Sequence, residues 1–515
     1  MSTFDSITMK SHVLEKCRQI LQDLVTVTLM EHQVKGVLWM KNMEESEYYG
    51  GILADDMGLG KTLQAIVASV MNDHKTTLVI CPKSLVINWK NEIQEKLTVP
   101  FKVGIYSGTE RHLMKVNKYD FVIATYGTVE RDYSKFYDKS PLFKHVWKRI
   151  ILDESQFIKN ENSNTTQAVT ELNANYRWCL SGTPVQNNLN ELFATTKFLQ
   201  VPGWCRKDDF DENMSTSYVS EVMDKISLRR TKAILDLPKK TVTEVECILS
   251  SEERATYDAS HAKFSRLFNM FCAQQRRANQ ECETGENLLG QEPVRQSVSF
   301  AQILRKFTLL RQCCNDSNMV KSAGNPTEDS DNCAPSSKTN AIMDLITKIR
   351  LGDSETPEQP QSKVIVFTQF LWMIKQVYKE CTSRSIGALT FTGCMTGKRR
   401  DDTLKKFERD DSIQVIIMST KCANVGLNIT SANWVIIVEP WWNPFVDEQA
   451  MDRAHRLGQN RPVRVVKLFV ANSIEEKIMM MQKTKREMVK DLWIQEGNTR
   501  SSSPSMMQNI KSILA

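Results

Sequence analysis

Three short stretches carry residues that could act together on a polyphosphate. In "GGILADDMGLGKTLQAIVASV", Gly50 to Val70, an apolar run ends in Gly60, Lys61 and Thr62. A glycine-rich turn between a strand and a helix presents backbone N–H groups and a positive helix end to phosphates. The lysine then reaches the outer phosphates and the threonine helps hold Mg²⁺. The usual spacing, G-x-x-x-x-G-K-[ST], has glycine where this chain has Asp55. A second stretch, "RIILDESQFIKN", closes an apolar run with Asp153 and Glu154. Adjacent carboxylates at a buried strand end suit a metal–phosphate site, one holding Mg²⁺ and one taking a proton from water. In the third, "EPWWNPFVDEQAMDRAHRLGQ", Arg453 and Arg456 stand three apart, which predicts one face of a helical segment. Arginines there could stabilise the charge that builds on a transferring phosphoryl group. Singly, each stretch has a plainer reading: a glycine turn, a solvated strand end, two surface arginines. Their order in one chain joins them.

Such residues need a scaffold that brings distant strand ends together. The first half offers strand candidates at 50–54, 76–82, 102–108, 121–126, 149–154 and 177–184, and the second half at 363–370, 387–393, 413–420, 434–440 and 464–470. After the first of these, Leu63, Ile66, Val67, Val70 and Met71 recur on one face of a helix. Continuous apolar strands separated by helices predict parallel sheets buried on both faces, with functional groups collected at one edge. Between the halves, residues 271–300 are polar without a period, and 321–339, rich in Ser, Asn, Asp and Pro, read as a flexible connection. Ser473 and Glu476 stand at capping-box spacing before a last helix that closes the second lobe. The expected fold class is α/β: two parallel-sheet lobes joined by a largely helical bridge. The expected divisions are an N-terminal segment 1–24, a first lobe 25–235, a helical protrusion and linker 236–335, a second lobe 336–495 and a tail 496–515.

Composition narrows the class. At 515 residues the chain exceeds what one core supports. Sixty-seven Lys and Arg against 61 Asp and Glu leave a net charge of +6, which permits a basic groove without arguing for one. The 13 cysteines include no C-x-x-C, so zinc-ribbon and RING spacing is missing and no zinc module is expected. No apolar run approaches the ~18 residues of a membrane span, and the start "MSTFDSITMK" lacks a secretory h-region, so reduced thiols and no membrane association are expected.

Ten blocks in order carry a resemblance. They are "MEHQVKGVLWM" (30–40), "DDMGLGKT" (55–62), "ICPKSLVINW" (80–89), "DESQFIKN" (153–160), "LSGTPVQNN" (180–188), "LRRTKAILDLPKK" (228–240), "LLRQCC" (309–314), "KVIVFTQF" (363–370), "VGLNIT" (425–430) and "QAMDRAHRLGQ" (449–459). Over roughly residues 25–495 the chain resembles the Swi/Snf-type helicase-like ATPases of helicase superfamily two. Its length and lack of appended domains make it similar, within that family, to the baculovirus global transactivators. The resemblance implies two RecA-like lobes and a shorter nucleotide loop in which acidic residues normally precede "MGLGKT", so that Asp55 is the family form.

By that resemblance the loop Asp55, Asp56, Met57, Gly58, Leu59, Gly60, Lys61 and Thr62 binds ATP and Gln33 reads the adenine. Thr62 and Asp153 hold Mg²⁺, Glu154 orients or deprotonates water, and Arg453 and Arg456 serve as arginine fingers. Gln156, Ser181, Thr183 and Gln449 couple nucleotide state to motion. Lys83, Ser84, Thr125, Gln369, Gly393, Thr420 and Trp442 line a groove that touches DNA backbone phosphates, a contact that is sequence-independent and salt-sensitive. For Trp442 the other reading is packing beside Trp441. Two departures stand out. Gln156 replaces the family's usual histidine, which is expected to loosen coupling, and Cys422, Ala423 and Asn424 replace Ala-Gly-Gly. Glycine there would allow close backbone approach to DNA.

The implied activity is DNA-stimulated ATP hydrolysis by a monomer that tracks along double-stranded DNA. It would displace bound proteins or remodel chromatin in transcription, without separating strands. Two alternatives stay open: an ATP-switched DNA-binding cofactor, and a strand-separating helicase. A nuclear address, the host's if the chain is viral, follows only from a DNA substrate.

Overall fold

The computed structural model describes residues 11–71, 76–183, 190–212, 216–284, 298–321, 333–354, 361–423 and 427–491. The expected tail, Asn424 and the middle of the polar connection lie outside these residues. The chain divides into two compact units, one built on residues up to Leu237 and one holding most of Pro238–Lys483.

In the first unit the strands are β1 (Gly50–Leu53), β2 (Thr77–Cys81), β3 (Val103–Ile105), β4 (Phe121–Thr125), β5 (Trp147–Asp153), β6 (Ala174–Leu180) and β7 (Ser227–Leu228). They form a parallel sheet in the order β3-β4-β2-β5-β6-β1-β7. Alternate residues of each strand enter two different cores. Ile52, Leu78, Ile80, Ile150 and Leu152 belong to one, while Leu53, Val79, Ile151 and Leu180 belong to the other. A strand covered on both faces has no solvent side, so its sequence is apolar throughout rather than alternating. The helix Lys61–Met71 is likewise wider in its burial than one apolar face, because Gln64, Ala65, Ala68 and Ser69 are enclosed too.

The second unit contains β8 (Lys240–Cys247), β9 (Val364–Thr368), β10 (Gly387–Phe391), β11 (Ile413–Ser419), β12 (Trp434–Ile437) and β13 (Val463–Val470), ordered β10-β11-β9-β12-β13-β8 and parallel throughout. Its core gathers Val364, Val366, Val415, Ile417 and Leu468 with side chains of the helices Ser251–Thr284, Phe300–Asn315, Asn318–Lys321, Ser337–Ser354, Leu371–Ser383 and Ile474–Asp491.

Three elements depart from the sequence reading, one of them the two-residue edge strand β7. Strand β8 lies at a sheet edge and is largely exposed until Cys247, so "KTVTEVEC" shows none of the continuous apolar character of its neighbours. The polar stretch after 271 continues a helix to Thr284 rather than breaking it. Tertiary contacts hold the helix as far as Gln274: Phe264 meets Phe307, Phe271 meets Phe300 and Gln274 Oε1 accepts from the Val298 N–H, so this helix runs antiparallel to Phe300–Asn315. Among the described residues no helix is long and apolar enough to cross a membrane.

Candidate functional site

The glycine-rich loop joins β1 to the helix Lys61–Met71, and its glycines are required by conformation. Gly58 and Gly60 have φ of 92° and 80°, in the region L side chains avoid. A methyl group on Gly60 would also lie 2.4 Å from the Gln33 amide nitrogen. The Lys61 ammonium donates to the carbonyls of Asp55 (2.6 Å) and Asp56 (3.3 Å). The buried Leu59 carbonyl accepts from Gln33 Nε2 (3.3 Å) and Gln64 Nε2 (3.2 Å) and lies 3.0 Å from His32 Nε2. Gln33 Oε1 in turn accepts from the Met30 N–H, so the start of the helix Glu31–Glu44 is tied to the loop.

Asp55 is fully buried, and its carboxylate is enclosed by Arg230 and Gln64. The Arg230 backbone N–H donates to the same carboxylate, and its guanidinium also reaches the His32 carbonyl and Gln64 Oε1. Asp56 Oδ2 accepts from the Lys232 N–H, while the Asp56 N–H donates to the Arg230 carbonyl. The two acids thus brace the loop against residues 228–232. The Asp55 carboxylate is engaged by Arg230 and Gln64. Nothing in the sequence marks Arg230, within the block "LRRTKAILDLPKK", or Gln64 as a partner of Asp55.

Asp153 ends β5, and Glu154 turns the chain there with φ 53° and ψ 53°, an unfavourable left-handed conformation for a residue with a side chain. Asp153 Oδ2 accepts from the Trp89 indole N–H at 2.7 Å, and its Oδ1 from the Glu154 N–H at 3.0 Å. Burial, and then the adjacent Glu154 charge, push the Asp153 carboxyl up to about 7, against the pull of the Trp89 hydrogen bond and Lys61. Gln156 joins the next pieces. Its Nε2 donates to Glu154 Oε2 (2.6 Å) and its Oε1 accepts from Ser181 Oγ (2.8 Å), which itself accepts from the Thr183 N–H (3.1 Å). An amide donates and accepts at once, so Gln156 links Glu154 to Ser181. Gly182 borders the loop: a methyl there would lie 3.6 Å from Lys61 Nζ. Lys61, Asp153, Glu154, Gln156 and Ser181 therefore meet in one place.

Strand register sets what lies beside them. Cys81 pairs with Thr125 and Ile80 with Leu152, so the segments after β2, β4 and β5 leave the sheet at one level. Lys83 is exposed there, Ser84 and Thr125 are half-buried, and Thr125 caps the helix Tyr126–Phe136 through the Thr128 N–H.

In the second unit Gly393, Thr420, Gln369 and Trp442 follow β10, β11, β9 and β12, four successive neighbours in the sheet. Gly393 is exposed and its carbonyl accepts from Arg400, whereas Thr420 is buried. Gln369 Oε1 accepts from Arg311, and its backbone N–H donates to Glu439. Trp442 stacks on Phe307 at 4.2 Å, which is the packing reading. Gln449 is buried on the helix Pro444–Met451. That helix ends before Arg453, so Arg453 (buried) and Arg456 (half-buried) sit in successive turns instead of on a helical face. The Arg453 carbonyl accepts from the Ile429 N–H.

Residues 32–319 match the SNF2-related domain, and residues 337–458 match the helicase conserved C-terminal domain. The chain is 28% identical to an uncharacterised ATP-dependent helicase of Schizosaccharomyces pombe, over 90% of this chain and 60% of that protein. It is 31% identical to a probable global transactivator of Orgyia pseudotsugata multicapsid polyhedrosis virus, over 89% of this chain and 90% of the viral protein. A solved structure, the Sulfolobus solfataricus SWI2/SNF2 ATPase core in complex with double-stranded DNA, is similar at 30% identity with a TM-score of 0.42, covering 91% of this chain and 93% of that one.

Proposed function

We propose that this chain, which belongs to the SNF2-related family of helicase-like proteins, is an ATPase stimulated by duplex DNA that moves along the duplex and displaces bound proteins. The observation that carries this reading is the junction of Lys61, Asp153, Glu154, Gln156 and Ser181 at one sheet edge. Lys61 leaves the loop carbonyls for the outer phosphates of ATP. Glu154, held by Gln156, orients the attacking water and takes its proton. The adjacent carboxylates of buried Asp153 and half-buried Glu154 fit a divalent cation. Asp153 and Thr62 would hold Mg²⁺, which supplies positive charge to the phosphate oxygens. Ser181 and Thr183 pass the state of Glu154 onward through Gln156, with Gln449 in the second unit. Arg453 and Arg456 supply the remaining positive charge.

The polar positions beyond the strand ends are Lys83, Ser84 and Thr125 in the first unit and Gln369, Gly393 and Thr420 in the second. They take the backbone of the duplex, which gives grip without sequence preference. The viral relative's description as a transactivator supports a role in transcription and, with it, work in the nucleus.

Steady-state ATP hydrolysis tests the reading, with no DNA, single-stranded DNA or duplex DNA at two salt concentrations. Duplex should stimulate most, and salt should weaken the effect. Glu154→Gln should retain ATP binding and lose roughly 10²–10⁴ in rate. Absence of stimulation by any nucleic acid would leave an ATP-switched binding protein as the better account.

A further inference from the structure

Two buried aromatic side chains reach Asp153 from segments beside it, and the chemistry above uses neither. The Trp89 indole N–H donates to the Asp153 carboxylate at 2.7 Å, and the Tyr126 hydroxyl donates to the Asp153 backbone carbonyl at 2.8 Å. Trp89 lies in the helix Val86–Lys96, directly behind the short turn Lys83–Leu85 that follows β2. Tyr126 is the first residue of the helix capped by Thr125 at the end of β4. Both strands neighbour β5 or its partner in the sheet, and their ends are level with Asp153. Each segment thus begins with exposed or half-buried polar residues and soon delivers a donor to the same acid.

The two rings are fixed in place. Both are buried, and Tyr126 stacks on Phe157, in the turn just after Glu154, with centroids 5.1 Å apart and planes 10° from parallel. A buried indole often has only a structural task. Trp147 donates to the Leu142 carbonyl, and Trp372, in the second unit, donates to the Asp316 carboxylate at 2.7 Å. Trp89 and Tyr126 differ in converging on one residue of the acid pair from two separate segments.

We propose that Trp89 and Tyr126 are positioning residues through which duplex DNA, held at Lys83, Ser84 and Thr125, sets Asp153 for hydrolysis. The proposal rests on the duplex-stimulated reading above. A phosphate seated at the start of either helix shifts that helix as a rigid body. A hydrogen bond weakens steeply as its angle and distance change, so a small shift alters the hold on Asp153. Without DNA the acid is held in a less productive setting, and with DNA it is aligned.

The test uses the full chain and compares wild type with Trp89→Phe, Tyr126→Phe and, as a control, Trp372→Phe. Basal and duplex-stimulated kcat are measured at saturating ATP, and duplex affinity is measured separately by anisotropy. Loss of a hydrogen bond to a charged acceptor is expected to lower the stimulated-to-basal ratio roughly tenfold in Trp89→Phe, with a smaller drop in Tyr126→Phe. Duplex affinity should be unchanged in both, and Trp372→Phe should keep the wild-type ratio. Basal and stimulated rates falling together, or a wild-type ratio in both site variants, would overturn the proposal and leave the duplex-stimulated reading intact. A wild-type chain that duplex fails to stimulate would remove both. Tyr126→Phe deletes a single oxygen and carries the test if Trp89→Phe does not fold.

Discussion

Asp55 stands six residues before the lysine of the nucleotide loop, yet its carboxylate is closed off from solvent and answers to Arg230. A buried ion pair contributes little net stability when intact, but removing one partner strands the other's charge. Arg230→Met should therefore lower the unfolding free energy of the first unit by about 3–5 kcal/mol, read by denaturant titration. The double replacement Asp55→Leu with Arg230→Met should recover most of that loss, because no charge is left unpaired. A single variant as stable as wild type would show that the pair does not hold the loop. The same logic of enclosure explains why Glu154 tolerates a left-handed backbone. Its carboxylate is fixed by Gln156 and its carbonyl accepts from the Phe157 N–H, so the surroundings maintain a turn that the residue alone would avoid.

Helices of the second unit are joined by charge as well as by apolar packing. Lys338, in the helix Ser337–Ser354, and Glu475, in the helix Ile474–Asp491, form a wholly buried pair. The capping pattern expected at Ser473 is shifted by one residue: Ser473 Oγ accepts from the Glu475 N–H, and Glu476 takes the Asn472 N–H. Glu439, just beyond β12, is buried with Thr368 Oγ1 and the Gln369 N–H as donors, and Arg311 and Lys338 nearby. Burial dominates and pushes its carboxyl from the ordinary 4.5 up to about 7, with Lys338 the strongest opposing influence. The folded state therefore binds this proton more tightly than the unfolded chain. The stability it contributes is fully present below pH 4.5 and is lost as pH rises through about 7. Glu439→Gln should flatten that part of the stability–pH profile in thermal melts taken across the interval. An unchanged slope would mean that Glu439 is not the group responsible.

The proposed chemistry draws on both units, with Lys61, Asp153 and Glu154 from one and Arg453 and Arg456 from the other. Binding and hydrolysis should accordingly separate. Arg453→Ala is expected to keep ATP affinity, measured by nucleotide titration, while lowering duplex-stimulated hydrolysis by on the order of 10³. Full turnover in that variant would assign hydrolysis to the first unit by itself.

Most strand positions, the parallel arrangement, Asp153 at a strand end and Lys61 at the start of the helix after the glycine-rich loop follow from local pattern. A strand buried on both faces must be apolar at every position, and the loop after it must carry the polar groups. The edge strand β8 and the continuation of the bridge helix past 271 to Thr284 are not legible, because neither has the apolar period that marks a buried element. Partners across long separations were also hidden. Arg230 meets Asp55 over 175 positions, and Trp89 meets Asp153 over 64. Local sequence announces that a residue is charged or aromatic. Which group it meets is decided by how strands and helices pack, since an enclosed polar atom must find its partner among whatever the fold brings beside it.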